Sequence, residues 1–388
     1  MRVSAAKTSP RVERNHYLNY IDIKAYGKGN DYPQKILDIV AGSGTGKSCF
    51  DLYVKFIIGG GFENGTEVIN QKNERLNSLL SKCAKDLRAF GGFALLLKYN
   101  FKGTVNEIYN IPFEHCRLEV DKQSNFTGRV AVHPDWTKET GRAFRKSDIA
   151  FINGFSSDTV KDEISLAGGP TEYIGQVYYF TEDGDWEYPT CPFDAVVTDM
   201  LTEESVSTVK HRNAKHNFLP AGILIRKGIR PRTLDDGRPD PNDRYNEEME
   251  QSANEIKRMQ GDINASKIWV VDIDADEDKP EFVPFEGKNY DKQYELTEQT
   301  VQDNISRMFR IPPILRGVDV GAGFGAELIE NAYNYMNSVV EGERNMIETA
   351  FVDVFENFVT SFTEFTISPL EYIAKTGNYE STGDEGRS

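Results

Sequence analysis

One stretch limits what this chain can fold into more than any other. From Asn289 to Phe358 it reads as a helix, a proline stop, a glycine-rich loop and a second, very long helix. Between Asn289 and Arg310, the residues Tyr290, Tyr294, Val301, Ile305 and Met308 recur on one helical face. That helix must end near Arg310, because Ile311-Pro312-Pro313 removes two backbone donors and drives the residue before each proline out of α geometry. Gly321, Gly323 and Gly325 then fall within five residues, which leaves the backbone too free for regular structure. From Ala326 the apolar positions Leu328, Ala332, Met336, Val339, Ile347, Ala350, Phe351, Val354 and Phe358 predict a single helix. It would hold about 33 residues and run about 50 Å at 1.5 Å per residue. Helices of compact domains average about three turns. A stripe this long predicts an elongated subunit that packs against copies of itself, or else a large helical domain.

Upstream the pattern is mixed. Residues 1–30 are polar with few apolar anchors, and predict an arm that orders on a neighbouring subunit or stays mobile. Two helices follow from Tyr32 to about Gly92, the second from Asn70 to Phe90 with Leu76, Leu79, Leu80, Cys83, Leu87 and Phe90 on one side. Antiparallel strands are predicted at Phe93–Tyr99, Val105–Tyr109, Arg117–Val120, Arg129–His133 and Ile174–Phe180. Cys191-Pro192 opens a helix from Phe193 to about Asn213. Next come a strand at Gly222–Arg226, a charged loop at Ile229–Asn242, a helix at Arg244–Met259 and a strand at Lys267–Ile273.

Composition excludes several classes. Of 388 residues, 39% are hydrophobic and 11% aromatic, which is enough for two or three folded cores. No run approaches the roughly 18 apolar residues of a membrane span, and the N-terminal stretch has no apolar segment of a secretion signal. The four cysteines, Cys49, Cys83, Cys116 and Cys191, form no CxxC pair, and His211 and His216 fall on different helix faces. Neither a metal site nor a disulfide framework is expected. The net charge of −16, from 45 basic and 61 acidic side chains, is the wrong sign for a protein that grips DNA through its phosphates. It suits a wall that holds phosphates weakly, as it suits many acidic proteins. The carboxylates Glu203, Glu204, Glu247, Glu248, Glu250, Asp274, Asp276 and Asp278 fall on exposed helix or loop positions, and no catalytic constellation emerges.

Ala41-Gly-Ser-Gly-Thr-Gly-Lys-Ser48 matches a nucleotide-binding phosphate loop, with Ala41 at the first glycine position. In such a loop backbone N–H groups cradle phosphates, Lys47 reaches the outer ones and the Ser48 hydroxyl meets Mg²⁺. Ile36–Val40 could supply the preceding strand, and Ile268–Asp272 a partner strand with an acidic end. Two observations oppose this. Pro33 is a good first helical residue, and Ile36, Leu37 and Val40 follow at helical spacing. The rest of the chain also lacks the strand–helix alternation of a parallel NTPase sheet.

The run "RMFRIPPILRG", the glycine stretch and "AELIENAYNYMNSVVEGERNMIETAFVDVFENF" resemble the C-terminal half of portal proteins of tailed double-stranded DNA phages. "CPFDAVVTDMLTEESVSTVKHRNAKHNFLPAGILI" is similar to that family's first stem helix and following strand. "NDYPQKILDIVAGSGTGKSCFDLYVKFIIGGGF" is similar to its first wing helices. Together these motifs cover most of the chain, in order. The resemblance implies a mixed α+β portal fold: a β-rich wing, a helical stem, a small α/β clip and a long C-terminal helix. It divides the chain into an N-terminal arm (1–30), wing (31–192), first stem helix (193–217), clip (218–288), second stem helix (289–313), channel loop (314–325), long wing helix (326–358) and a short crown or tail (359–388). It also makes Ser43–Phe56 a helix start capped by Ser and Thr, with Lys47 solvated.

What the resemblance implies for function is a conduit without chemistry of its own. Copies would form a twelve-fold ring at one capsid vertex of the virion, assembled in the host cytoplasm. Double-stranded DNA would pass through it, and the terminase large subunit, head–tail adaptor proteins and the major capsid protein would be its partners, with no cofactor and no membrane. Arg316, Val318, Asp319, Gly321, Gly323, Phe324 and Gly325 would form the channel loop. The alternative for that stretch is a plain helix–helix connector. Arg226, Arg230, Arg232 and Arg238 would form the clip's docking surface, or else a solvated loop. The other readings are a P-loop NTPase using Lys47 and Ser48, and a non-viral oligomeric scaffold.

Overall fold

The computed structural model describes residues 16–136, 146–182, 187–216, 222–227, 268–273, 281–284, 290–317, 325–362 and 364–372, with a few positions between 234 and 251. In chain order the elements are strands β1 (Tyr17–Leu18) and β2 (Ile23–Lys24), helices α1 (Tyr32–Gly42) and α2 (Gly44–Ile58), β3 (Gly61–Phe62) and α3 (Leu76–Phe90). Then come β4 (Gly92–Tyr99), β5 (Val105–Ile111), β6 (Cys116–Val120), β7 (Phe126–Val132), β8 (Ala150–Gly154), α4 (Val160–Ala167), β9 (Gln176–Thr181) and α5 (Val197–His216). After β10 (Gly222–Lys227), β11 (Ile268–Ile273) and β12 (Glu281–Pro284) follow α6 (Tyr290–Met308), α7 (Ala326–Val339), α8 (Glu341–Phe355) and β13 (Ile367–Ser368). The fold is mixed helix and sheet. The chain divides into two units, 1–201 with 302–388, and 202–301.

The first unit is built on an eight-stranded sheet in the order β1-β2-β6-β7-β8-β9-β4-β5. Five of the strands are those expected from alternation, with ends moved by one to three residues. Two features depart from an all-antiparallel core. β8 was not legible as a strand, and it pairs parallel with β9. A parallel neighbour needs a crossover, and α4 supplies it. Helix α3 is amphipathic, burying Leu76, Leu79, Leu80, Cys83, Leu87 and Phe90 as expected, and Gly91 closes it in the left-handed region at φ 78°. It starts at Leu76 rather than Asn70, because the Asn70 side chain accepts from the N–H groups of Lys72 and Glu74 and folds residues 70–74 into a turn.

The expected polar arm does not hold for residues 16–30. Ile21, Ile23, Ala25 and Tyr26 are buried, and Ile23 pairs with Glu119 on β6. The anchor is polar. Arg117, fully buried, donates from Nε to Asn30 Oδ1 (2.5 Å), from Nη2 to the Asn30 carbonyl (2.7 Å), and from Nη1 to the carbonyls of Cys116 (2.7 Å) and Glu114 (3.0 Å). The Tyr26 ring stacks on Tyr188 at 4.2 Å, and its hydroxyl donates to the Pro189 carbonyl.

The predicted 33-residue helix is also corrected. It is two helices of 14 and 15 residues, α7 and α8, separated at Val340 (φ −93°, ψ 4°), and it ends at Phe355. The Val340 N–H still bonds the Met336 carbonyl, and its own carbonyl accepts from Arg344, so the break turns the backbone while losing little hydrogen bonding. The residues after α8 return to the first unit: β13 pairs with β3, and Phe365 packs among Phe62, Phe351 and Phe355.

In the second unit β10 lies between β11, parallel, and β12, antiparallel. Residues 245–247 and 250–251 are helical. This agrees with the strand–helix–strand reading and adds β12. An ion pair joins Lys210 on α5 to Glu298 on α6.

Replacing Arg117 with Met should destabilise the first unit by at least about 3 kcal/mol, since several buried acceptors lose their donor at about 1–3 kcal/mol each. Urea unfolding measures this. A loss under about 1 kcal/mol would show that those carbonyls find other donors.

Candidate functional site

The candidate site is the junction where α6 ends, the chain turns at Pro312-Pro313, and α7 begins. Helix α6 closes with a paired hydrogen-bond motif: Ile311 N–H to the Ser306 carbonyl (3.1 Å) and Arg310 N–H to the Arg307 carbonyl (3.0 Å). That closure needs a left-handed residue, and Arg310 takes it at φ 53°, where glycine is the usual occupant. Pro313–Arg316 form a short 3₁₀ turn that ends at Gly317, φ 76°. On the far side Gly325 caps α7, its carbonyl accepting from Leu328 and Ile329 N–H. Its φ of −67° is one any residue adopts.

Val318, Asp319, Gly321, Gly323 and Phe324 lie outside the described residues. Arg316, the cation nearest the glycine stretch, turns back from the 3₁₀ turn onto α6. Its Nη1 donates to Ser306 Oγ (3.0 Å) and pairs with Asp303 at 3.4 Å. Ser306 in turn donates to the Gln302 carbonyl and lies 3.8 Å from the Cys49 thiol of α2. Between the proline turn and α7 is a groove of about 600 Å³, with Ile311 and Ile314 on one wall, Leu328 and Tyr335 on the other, and Arg307 and Arg310 along it.

Of the arginines expected to form a docking surface, Arg226 is on β10, in register with Asp272. Arg230 and Arg232 lie outside the described residues. Arg238 is exposed, and its carbonyl accepts from Leu234 N–H.

The phosphate-loop motif has a different geometry from its nucleotide-binding use. Ile36–Val40 belong to helix α1, and only Ser43 separates α1 from α2. Ser43 is the N-cap of α2, its Oγ accepting from Gly46 N–H at 2.9 Å. Gly44–Ser48 form the first turn of α2, and Lys47 pairs with Asp51 one turn on. A helix thus precedes the motif where a strand would be needed. Among the described residues no group of His, Cys, Asp and Glu is arranged to hold a metal, and no helix is long and apolar enough to cross a membrane.

The reading of the sequence missed the residue on which the junction rests. Arg88, on α3, is 7% exposed and inserts its guanidinium among three rings: Tyr53 at 3.9 Å, Phe309 at 4.8 Å and Phe193 at 5.9 Å from carbon to centroid. Burial pulls its pKa below the ordinary value, with Tyr53 the first of the groups that oppose the shift. The sequence held one signal: Arg88 follows Leu87 and lies four residues after Ala84, inside the apolar arc of α3.

No protein-family model matches the chain. Nor does any curated protein match it significantly in sequence. Solved structures do. A chain in the neck of an empty gene transfer agent (GTA) particle, computed with C6 symmetry, aligns over 86% of this chain and 84% of its own, with 13% identity and a TM-score of 0.51. A chain in the virion of the native GTA particle aligns over 86% and 83%, at 14% identity and 0.49. One from the neck of the native particle, computed with C12 symmetry, aligns over 84% and 82%, at 14% and 0.48. This chain has the fold of a GTA neck component. At such identities the likeness is one of architecture.

Two outcomes follow from this geometry. Ser43→Ala should cost about 1 kcal/mol, as loss of a helix cap does, while Lys47→Ala, which removes an exposed pair, should change stability by under about 0.5 kcal/mol. Saturable ATP binding lost in Lys47→Ala would restore the NTPase reading. Arg310→Gly should stabilise the fold by about 1 kcal/mol, the order of the left-handed penalty for a residue with a Cβ. Chemical denaturation of the three variants checks these values, and a net loss for Arg310→Gly would show that the Arg310 side chain holds the junction.

Proposed function

We propose that this chain is the subunit of a portal ring, the conduit through which double-stranded DNA enters and leaves a phage-type particle. The observation that carries the reading is the likeness to a GTA neck chain over 86% of the sequence at a TM-score of 0.51. The ordered portal-like motifs support it. So do the two helices, α5 and α6, that precede and follow the three strands β10, β11 and β12 in the chain.

On this reading the chain sits at a capsid vertex of the virion. Residues 218–288 are the clip that meets the terminase large subunit during packaging and head–tail adaptor proteins afterwards. Residues 31–192, with the helical stretch 326–358, are the wing that faces the major capsid protein. A head-to-tail interface repeated around an axis closes into a ring, and the twelve-fold number comes from the family resemblance. Residues 314–325, with the glycine stretch 318–325, are the pore loop, the glycines permitting concerted movement as DNA passes. The protein does no chemistry, and the energy for packaging comes from a separate ATPase. A net charge of −16 suits a wall along which phosphates must slide.

Negative-stain imaging of the purified chain should show rings with a central hole, and a monomer under all conditions would overturn the reading. Replacing Gly321 and Gly323 with bulky residues should leave the ring intact and impair packaging or DNA retention. Unchanged packaging would remove the pore-loop assignment. Charge reversal at Arg230 and Arg232 should weaken terminase binding without affecting ring assembly.

A further inference from the structure

We propose that Arg88 is a cationic pin that joins the two segments through which the chain leaves and re-enters its first unit, so that they open and close as one element. Phe193 directly precedes the 3₁₀ turn that leads into α5, and Phe309 directly follows the last residue of α6. Although 116 positions apart (309 − 193) in the sequence, their rings lie 5.3 Å from each other, tilted by 32°. Each also meets α2: Phe193 packs on Phe50 at 6.1 Å, and Phe309 on Tyr53 at 6.2 Å. The guanidinium of Arg88 enters this cluster from α3 and touches three of the four rings. The Tyr53 hydroxyl donates to Glu343 Oε1 at 2.6 Å, which extends the joint to α8.

The reason these contacts act together is the charge. Arg88 is removed from water, and its Nε has no hydrogen-bond partner. Part of what offsets its desolvation is the quadrupole of the ring faces. A neutral side chain in this place would let one ring slide while the other stayed. With a cation, movement of either ring leaves a desolvated charge underserved, so partial opening is the unfavourable state.

The inference is independent of the conduit reading, since a chain that forms no ring would carry the same joint. Under that reading, load applied to either segment reaches α2, α3 and α8 through the pin.

Hydrogen exchange read by mass spectrometry on the full chain tests it, comparing wild type, Arg88→Met, Phe309→Leu and the double variant. Met fills the same space without charge. The expected result is exchange about tenfold faster at residues 194–201 and 302–311, by a similar factor in both. The double variant should be no faster than either single one, and α3 and β4 should stay protected. Faster exchange in only one segment, additive effects, a uniform rise throughout the first unit, or no change would each overturn the proposal. If Arg88→Met fails to fold, Phe193→Leu replaces it, and must loosen residues 302–311 as well as its own segment.

Discussion

A guanidinium removed from water brings five N–H donors and a charge, and leaving them uncompensated is costly. Among the described residues the first unit contains three, Arg88, Arg117 and Arg344, each 7% exposed or less. Each sits where segments distant in sequence meet. Arg117 fastens residues 26–30 to β6 through carbonyls and the Asn30 side chain. Arg344 binds the carbonyls of Phe56 and Ile57, two of the groups that the last turn of α2 leaves unpaired, and Asn337 on α7. Asn337 in turn exchanges two hydrogen bonds with Leu370, holding the returning C-terminal segment. Arg88 serves the two crossings. Apolar burial alone would tolerate many registers among these pieces; donors with fixed directions tolerate few.

Much of the secondary structure was legible because it rests on local chemistry. Proline and the left-handed closure stop α6, Gly91 stops α3, and alternation marks β4, β5, β6, β7 and β9. The failures share a cause. Strands β1 and β2 are two residues each, too short to carry a period, and they exist because Arg117 and the Tyr26–Tyr188 stack hold them. The break at Val340 is invisible to periodicity. Apolar residues recur on both sides of it, and the side chains that flank it, Asn337 and Arg344, bond groups more than thirty positions away (370 − 337; 344 − 57). Strand β8 was missed because its pairing depends on a crossover through α4.

The candidate site divides in the same way. The stop at Ile311-Pro312-Pro313 follows from backbone sterics and could be read directly. That Arg310 would occupy the left-handed position could not, since residue type alone argues for glycine there. The phosphate-like motif is instructive for a different reason. Gly-x-Gly-Lys-Ser is as suitable for opening a helix as for cradling phosphate, because both uses present free N–H groups at a helix start. What separates them is the preceding element, and Pro33 with the helical spacing of Ile36, Leu37 and Val40 identified it as a helix.

Arginine placement also sharpens what the charge balance means. Composition gives −16, but composition counts a buried cation as it counts a surface one. Arg88, Arg117 and Arg344 are turned inward, and Arg316 is engaged by Ser306 and Asp303 beside the glycine stretch. Those four cations serve the fold and are withdrawn from any phosphate that approaches. Their charge still contributes to the field outside, but N–H donors of Arg117, Arg344 and Arg316 are committed within the fold. Binding by phosphate neutralisation needs the reverse. A fold that uses these arginines as internal fasteners has that many fewer cations to offer a polyanion at its surface.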